Sequence, residues 1–214
     1  MSGARIVVTA AVTIAALAAA LSAALSAAIK FTSTWKSPDA GTVSFFGKKV
    51  AALVISNDDS LRVAGEESLV RELTARGIQA VATYRIAPKE ELAKGETAKV
   101  WFERAAVEGV VALRPVSIDT GRRYTSATWV NPYYSSLWGY YGYGWGAVYV
   151  PGSSRVETDV VVETTIYSVP QNALVWAAVT ETTSAKDLRK FIEDLVKRSV
   201  EVMHEQGLAK GVKK

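Results

Sequence analysis

KVAALVIS, residues 49–56, is the stretch on which the fold turns. It is an apolar run of strand length, bounded by Gly47 on one side and by Asn57-Asp58-Asp59 on the other. Short apolar runs between turn signals suit strands covered on both faces, as in a parallel sheet. Downstream, Asp59 or Ser60 offers a side-chain oxygen to cap a helix over residues 61–76. Val63, Val70 and Leu73 are inward positions of that helix, and Gly77 stops it. Ile78–Ile86 is β-rich and predicts a second strand. Pro88 suits the first turn of a further helix, which Gly95 splits and which carries Val100, Trp101, Ala105 and Ala106 before Gly109. Val110–Ile118 predicts a third strand. Such alternation implies parallel neighbours joined by right-handed crossovers.

The carboxy-terminal half has a different pattern. Arg122–Val130 reads as a strand leading into an aromatic and glycine-rich insertion at residues 129–152. In Arg155–Ser168 the residues Val156, Thr158, Val160, Val162, Thr164 and Ile166 alternate with Glu157, Asp159 and Glu163. This predicts an antiparallel strand with one face in water. Pro170-Gln171-Asn172 forms a turn and Ala173–Thr182 the returning strand. Ser184 with Asp187 makes a capping box for a last helix. That helix places Leu188, Phe191, Ile192, Leu195, Ser199, Val202 and Met203 on one face and ends near Gly207. The expected fold is α/β, a mixed sheet with a βαβαβ section, a late antiparallel hairpin and a carboxy-terminal helix. One domain spans residues 48–206, after a tether at 29–47 and before a basic tail at 207–214.

Residues 1–28 carry the three-part plan of an export signal: Arg5, an apolar stretch, and small residues at Ala24-Leu25-Ser26 and Ser26-Ala27-Ala28. The apolar stretch Ile6–Ile29 also reaches the ~20 residues that span a bilayer, so a cleaved leader and a retained anchor both stand. Alanine dominates it, and alanine contributes less transfer energy than larger aliphatics. Leu25-Ser26-Ala27-Ala28 has the form of a lipoprotein box in which Ala28 occupies the position of the lipid-bearing cysteine. The chain cannot be lipidated there.

Composition bounds the chemistry further. With 49% hydrophobic and 21% charged residues, the 214-residue chain has ordinary globular values. Its net charge of +4 comes from Lys and Arg interleaved with Asp and Glu, apart from the tail ending Lys210, Lys213, Lys214. Nucleic-acid binders concentrate basic charge on one face, so no nucleic-acid partner is expected. No cysteine is present, which removes disulfides, thiolate metal sites and thiol catalysis. His204, the single histidine, sits near a helix end, and alone it supports neither a His-rich metal site nor a Ser-His-Asp triad.

Three further constellations bear on chemistry. Asp58 and Asp59 follow the first strand, where open α/β sheets bind ligands, but an acid before Ser60 also serves as a helix cap. Asp119-Thr120-Gly121 after the third strand reads as a turn. GYYGYGWG, residues 139–146, holds glycines in a G-x-G-like pattern, yet its strand-like flanks and bulky intervening rings argue against a phosphate loop. No catalytic residue, metal or cofactor is expected.

The insertion carries Trp129, Tyr133, Tyr134, Trp138, Tyr140, Tyr141, Tyr143, Trp145 and Tyr149. Aromatics with a polar tip suit surfaces that are half wet and half apolar. Trp138, Tyr140, Tyr141, Tyr143 and Trp145 are therefore the candidate partner-binding residues, on a mobile extension over residues 131–152. The alternative is a long hairpin whose rings only cover the sheet.

The leader, the Phe31-x-Ser33-x-Trp35 opening, the βαβαβ section and the hairpin with Leu174-Val175-Trp176 resemble small Gram-negative envelope lipoproteins. In layout the chain is similar to the amino-terminal domain of TolB and the periplasmic domain of the curli-secretion lipoprotein. The resemblance implies assembly or binding and no catalytic residues. The expectation is thus a non-enzymatic protein of the periplasm or cell envelope that meets a protein, glycan or membrane partner. A carboxylate-based hydrolase of envelope polysaccharide, with the aromatics as sugar platform, and a structural oligomer are the alternatives.

Overall fold

A computed structural model describes residues 29, 31–117, 125–146, 160–182 and 188–209. The chain divides at Lys30, and the described sheet and helices belong to the part from Phe31 onward. The export signal, Ala28, Asp119, Tyr149, the Ser184/Asp187 capping box and the basic residues 210–214 lie outside the described residues.

The predicted first strand is β2, Lys49–Val54. It leads to α1, Asp59–Thr74, and then to β3, Gln79–Ala82. Asp58 is the cap, its Oδ1 accepting the Leu61 N–H at 3.1 Å, one residue before the expected position. Gly77 takes a positive φ of 79°, so it ends this helical segment where a side chain would be strained. Two helices, α2 (Lys89–Leu92) and α3 (Gly95–Arg104), precede β4, Gly109–Ser117. β2 pairs in parallel with both β3 and β4. The α/β reading therefore holds, and so does the parallel core of the sheet.

The sheet has six strands among the described residues, in the order β1-β6-β5-β4-β2-β3. β5 (Val160–Ser168) and β6 (Ala173–Thr182) form the expected antiparallel hairpin, and β5 joins β4 antiparallel. Phe31–Lys36, read as part of a tether, is instead the edge strand β1, paired antiparallel with β6. Its alternation of half-buried Phe31, Ser33 and Trp35 with exposed Thr32, Thr34 and Lys36 is that of an edge strand with one face on the core. A 3-10 turn at Pro38–Thr42 and the buried Phe45 link it to β2. Ile78–Ile86 is shorter as a strand than expected, since a 3-10 turn begins at Thr83.

Each strand residue faces one of two layers. Val54 meets the layer of α1 and of the last helix, α7 (Leu188–Glu205), where Gly65 and Ile192 approach its side chain. Ile192, Leu195, Ser199, Val202 and Met203 of α7 are buried, as the sequence pattern predicts, whereas Phe191 is only half-buried and Val196 and Val200, outside the predicted face, are buried too. Ala51, Leu53 and Ile55 face the opposite layer, built from α3 and from the aromatic segment. Among the described residues no helix is long and apolar enough to cross a membrane.

β5 corrects the reading of a half-exposed strand. Its residues from Val161 to Ser168 are all buried, so both faces are covered. The even positions face one helical layer, and Val161 and Tyr167 join the core beneath the aromatic segment. Glu163, expected in water, points into that same layer.

Candidate functional site

The aromatic segment is not a mobile extension over the residues described. Ser126–Trp129, Pro132–Ser135 and Leu137–Gly146 are three helices, α4, α5 and α6. Trp129, near the end of the stretch read as a strand, is thus helical. Thr125 and Thr128 close a reciprocal capping box at the start of α4, and the Asn131 side chain accepts the Tyr133 N–H at the start of α5. Residues 147–152 of the insertion lie outside the described residues.

Helix α6 explains the glycines. Leu137, Tyr140, Tyr141 and Gly144 recur at helical spacing and are all buried, so one stripe lies against the sheet. A Cβ on Gly144 would come within 2.7 Å of Ile55 Cδ1, and one on Gly139 within 2.6 Å of the Pro132 carbonyl oxygen. The missing side chains let α6 rest flush on β2 and on α5. Gly142 meets nothing within 4 Å. Gly142→Ala should therefore raise stability by roughly 0.5–1 kcal/mol through helix propensity. Gly139→Ala should lower it despite the same propensity gain, because backbone cannot yield. Chemical denaturation of both variants checks this, and equal shifts would refute the packing role of Gly139.

A buried polar cluster ties these helices to the sheet. Arg114 and Glu163 stand directly opposite each other in the β4–β5 ladder. Arg114 Nε donates to Glu163 Oε2 at 2.8 Å, and its Nη2 lies 2.8 Å from the same oxygen. The Tyr134 hydroxyl donates to Glu163 Oε1 at 2.8 Å and the Tyr140 hydroxyl to Oε2 at 3.2 Å. The Tyr167 hydroxyl donates to the Tyr134 carbonyl at 2.8 Å. Above the guanidinium sit the Tyr143 and Tyr140 rings, at 4.8 and 5.8 Å from its carbon. Burial works against the Arg114 charge, but the Tyr140, Glu163 and Tyr134 oxygens more than offset it and hold its pKa above the ordinary value. Burial first, and then the Glu163 carboxylate, push the Tyr134 and Tyr140 phenols well up. The cluster is thus an anchored ion pair with neutral phenols, and its groups are committed to one another.

Of the five predicted binding residues, two lie in the core. Tyr140 and Tyr141 are 0% exposed and cannot present their rings to a partner. Trp138, Tyr143 and Trp145 are half-buried, so each keeps part of its ring at the surface. Sequence reasoning missed Tyr133 and Val130 as the most open apolar positions of the segment, at 59% and 61% exposure. His204 is exposed at the end of α7.

Trp138 belongs to a groove of about 360 Å³ lined by Lys99, Glu103, Trp138, Val169, Pro170 and Asn172. Phe102 of α3 holds the indole edge-on, with ring centroids 5.7 Å apart. Lys99 and Glu103 face each other across one helical turn at 3.8 Å. Asn172, in the left-handed conformation with φ 46°, accepts the Trp138 backbone N–H through Oδ1 at 3.4 Å. The groove thus combines a firmly seated indole with cationic, anionic and amide groups on its rim. Asp58, the acid considered for catalysis, is occupied as the α1 cap.

No family model matches the chain, and no curated protein matches it. Among solved structures it is similar to the PelC dodecamer from Paraburkholderia phytofirmans, with 17% identity over 84% of this chain and 97% of that one, at a TM-score of 0.44. A structure of a single-residue PelC variant from the same organism, also a dodecamer, gives 19% identity, 85% and 98% coverage, and a TM-score of 0.43.

Proposed function

We propose that this is a non-enzymatic interaction protein of the cell envelope that binds a carbohydrate chain in the groove beside Trp138. The observation that carries the reading is the arrangement in that groove: an indole braced by Phe102, with Lys99, Glu103 and Asn172 around it. A sugar ring has an apolar face that stacks on an aromatic plane and hydroxyls that need both donors and acceptors at the edge. Lysine supplies donors, glutamate acceptors, and the asparagine amide both. The export signal expected at residues 1–28 supports the envelope location.

Titration calorimetry with linear hexose and amino-hexose oligosaccharides tests the reading. Trp138→Ala should weaken binding by about tenfold or more, as truncating a central aromatic anchor does. Tyr133→Ala, outside the groove, should leave affinity unchanged. Binding by none of the oligosaccharides, or an unchanged affinity in Trp138→Ala, would sink the proposal.

A further inference from the structure

The turn that joins β5 to β6 borders two cavities. Pro170 and Asn172 line the groove at Trp138, and their chain neighbours Gln171 and Ala173 line a second cavity of about 380 Å³. Consecutive Cα atoms lie about 3.8 Å apart, so this one turn is a wall of both. The turn is firmly held. The Asn172 N–H donates to the Val169 carbonyl at 3.1 Å, and the Val169 N–H to the Glu108 carbonyl at 3.0 Å. Through its bond to the Asn172 side chain, the Trp138 backbone is tied to the same turn.

The second cavity is built on β6, whose buried Leu174 and Val175 give it apolar lining. Opposite them stands the 3-10 turn Pro38–Thr42, fixed to β6 by the Ser37 N–H, which donates to the Val175 carbonyl at 2.9 Å. Within that turn the Thr42 hydroxyl donates to the Asp39 carbonyl at 2.8 Å, and Ser37 Oγ accepts the Asp39 N–H at 3.3 Å. With both hydroxyls engaged by backbone, the exposed Asp39 carboxylate and Gln171 amide remain to meet a ligand. A carboxylate accepts hydrogen bonds, and an amide donates and accepts them, which suits sugar hydroxyls.

What this cavity lacks is equally informative. Neither an aromatic ring nor a cation is among its lining residues. An anion there would meet Asp39 uncompensated, so the occupant is neutral. Without a ring to stack on, a single sugar gains little that offsets its lost translational freedom. A residue of a chain already seated on Trp138 has largely met that cost, because it binds at the effective concentration its linkage sets.

We infer that a carbohydrate chain anchored at Trp138 crosses the β5–β6 turn and sets a further, neutral sugar residue against Asp39 and Gln171. This rests on the carbohydrate reading of the Trp138 groove and adds the direction in which the chain runs.

The test is titration calorimetry of the full-length protein with disaccharides and hexasaccharides of β-1,4-linked glucose and of β-1,4-linked N-acetylglucosamine. In the series that binds, the hexasaccharide should bind more tightly than the disaccharide. In the double variant Asp39→Ala with Gln171→Ala, the ratio of hexasaccharide to disaccharide affinity should fall about tenfold or more, as expected for the loss of two hydrogen-bonding side chains. Both side chains are exposed, so the variant should keep the wild-type thermal midpoint. Trp138→Ala should weaken both oligosaccharides. A longer chain also gains from the several registers in which it can sit on one groove, but that gain survives in the double variant. An unchanged ratio in the double variant would therefore overturn the crossing, and so would equal affinity of the two lengths for the wild type. In either case a loss in Trp138→Ala would leave the groove standing. Binding of neither series, or no effect of Trp138→Ala, would overturn the groove and the crossing together.

Discussion

Glu163→Met is expected to lower the unfolding free energy by about 3–5 kcal/mol, the range for removing one partner of a buried ion pair. The size follows from what stays behind. Arg114 is 1% exposed and keeps its charge, since its guanidinium is held above its ordinary pKa. Without the carboxylate, the Tyr134 and Tyr140 hydroxyls also lose the oxygens to which they donate. Those two residues belong to separate helices, α5 and α6, so one carboxylate holds both to the sheet. Arg114→Met should be damaging for the complementary reason. The double variant, Arg114→Met with Glu163→Met, should recover a large part of the loss, because no unpaired charge then remains buried. Urea denaturation of the three variants checks the cycle. Additive losses would show that the two side chains do not act as a pair, and a loss below about 1 kcal/mol for Glu163→Met would show a surface-like interaction.

This pair also marks where the sequence stops being legible. The parallel section can be read because its signals are local. The apolar run at 49–56, a cap expected at Asp59 or Ser60 and found one residue earlier at Asp58, and the stop at Gly77 lie within one strand–helix unit. The α7 face can be read because its apolar positions keep one period from Ile192 to Met203. β5 escapes such a reading, since alternation shows only that two faces differ, not that one is wet. A clue is present in β4, whose apolar GVVALRPVS places Arg114 in the middle of a strand. A charge there requires a buried partner, and Glu163 is the acid that the strand register supplies. That register is a long-range property which no short window contains.

The aromatic segment is hidden for another reason. With glycines read as breakers and the rings as surface groups, GYYGYGWG lacks a period. Yet Leu137, Tyr140, Tyr141 and Gly144 already carry the helical spacing, once glycine counts as a small residue on a packed face. Isolated helices this rich in glycine are poor formers. The segment is helical because the sheet beneath it supplies apolar area and the Arg114–Glu163 pair supplies hydrogen bonds. Trp138, Tyr143 and Trp145 keep some surface because the stripe covers only one side of α6. The division of the predicted site into core and surface residues therefore depends on helix phase, which rests on the tertiary contact.

The largest effect is expected from replacing residues 126–146 by a short Gly/Ser link: the chain should lose its cooperative folded state. For a surface loop the change would be tolerated, since closure entropy varies only weakly with length. Here the replacement removes Trp129, Tyr134, Leu137, Tyr140 and Tyr141, all buried against the sheet. Truncating one large core aromatic costs roughly 3–5 kcal/mol. Four such rings together, roughly 12–20 kcal/mol, match or exceed the ~5–15 kcal/mol that a domain holds in total. The same change uncovers Arg114, Glu163 and the apolar residues Ala112 and Val161 on the face of β4 and β5. Near-ultraviolet dichroism and urea denaturation would report the outcome. Tyr133→Ala is the matched control, because a side chain 59% exposed should change stability by no more than about 0.5 kcal/mol. A replaced chain that still unfolds cooperatively near the wild-type midpoint would mean that the aromatic helices are dispensable for folding, and the packing role given to them would fall.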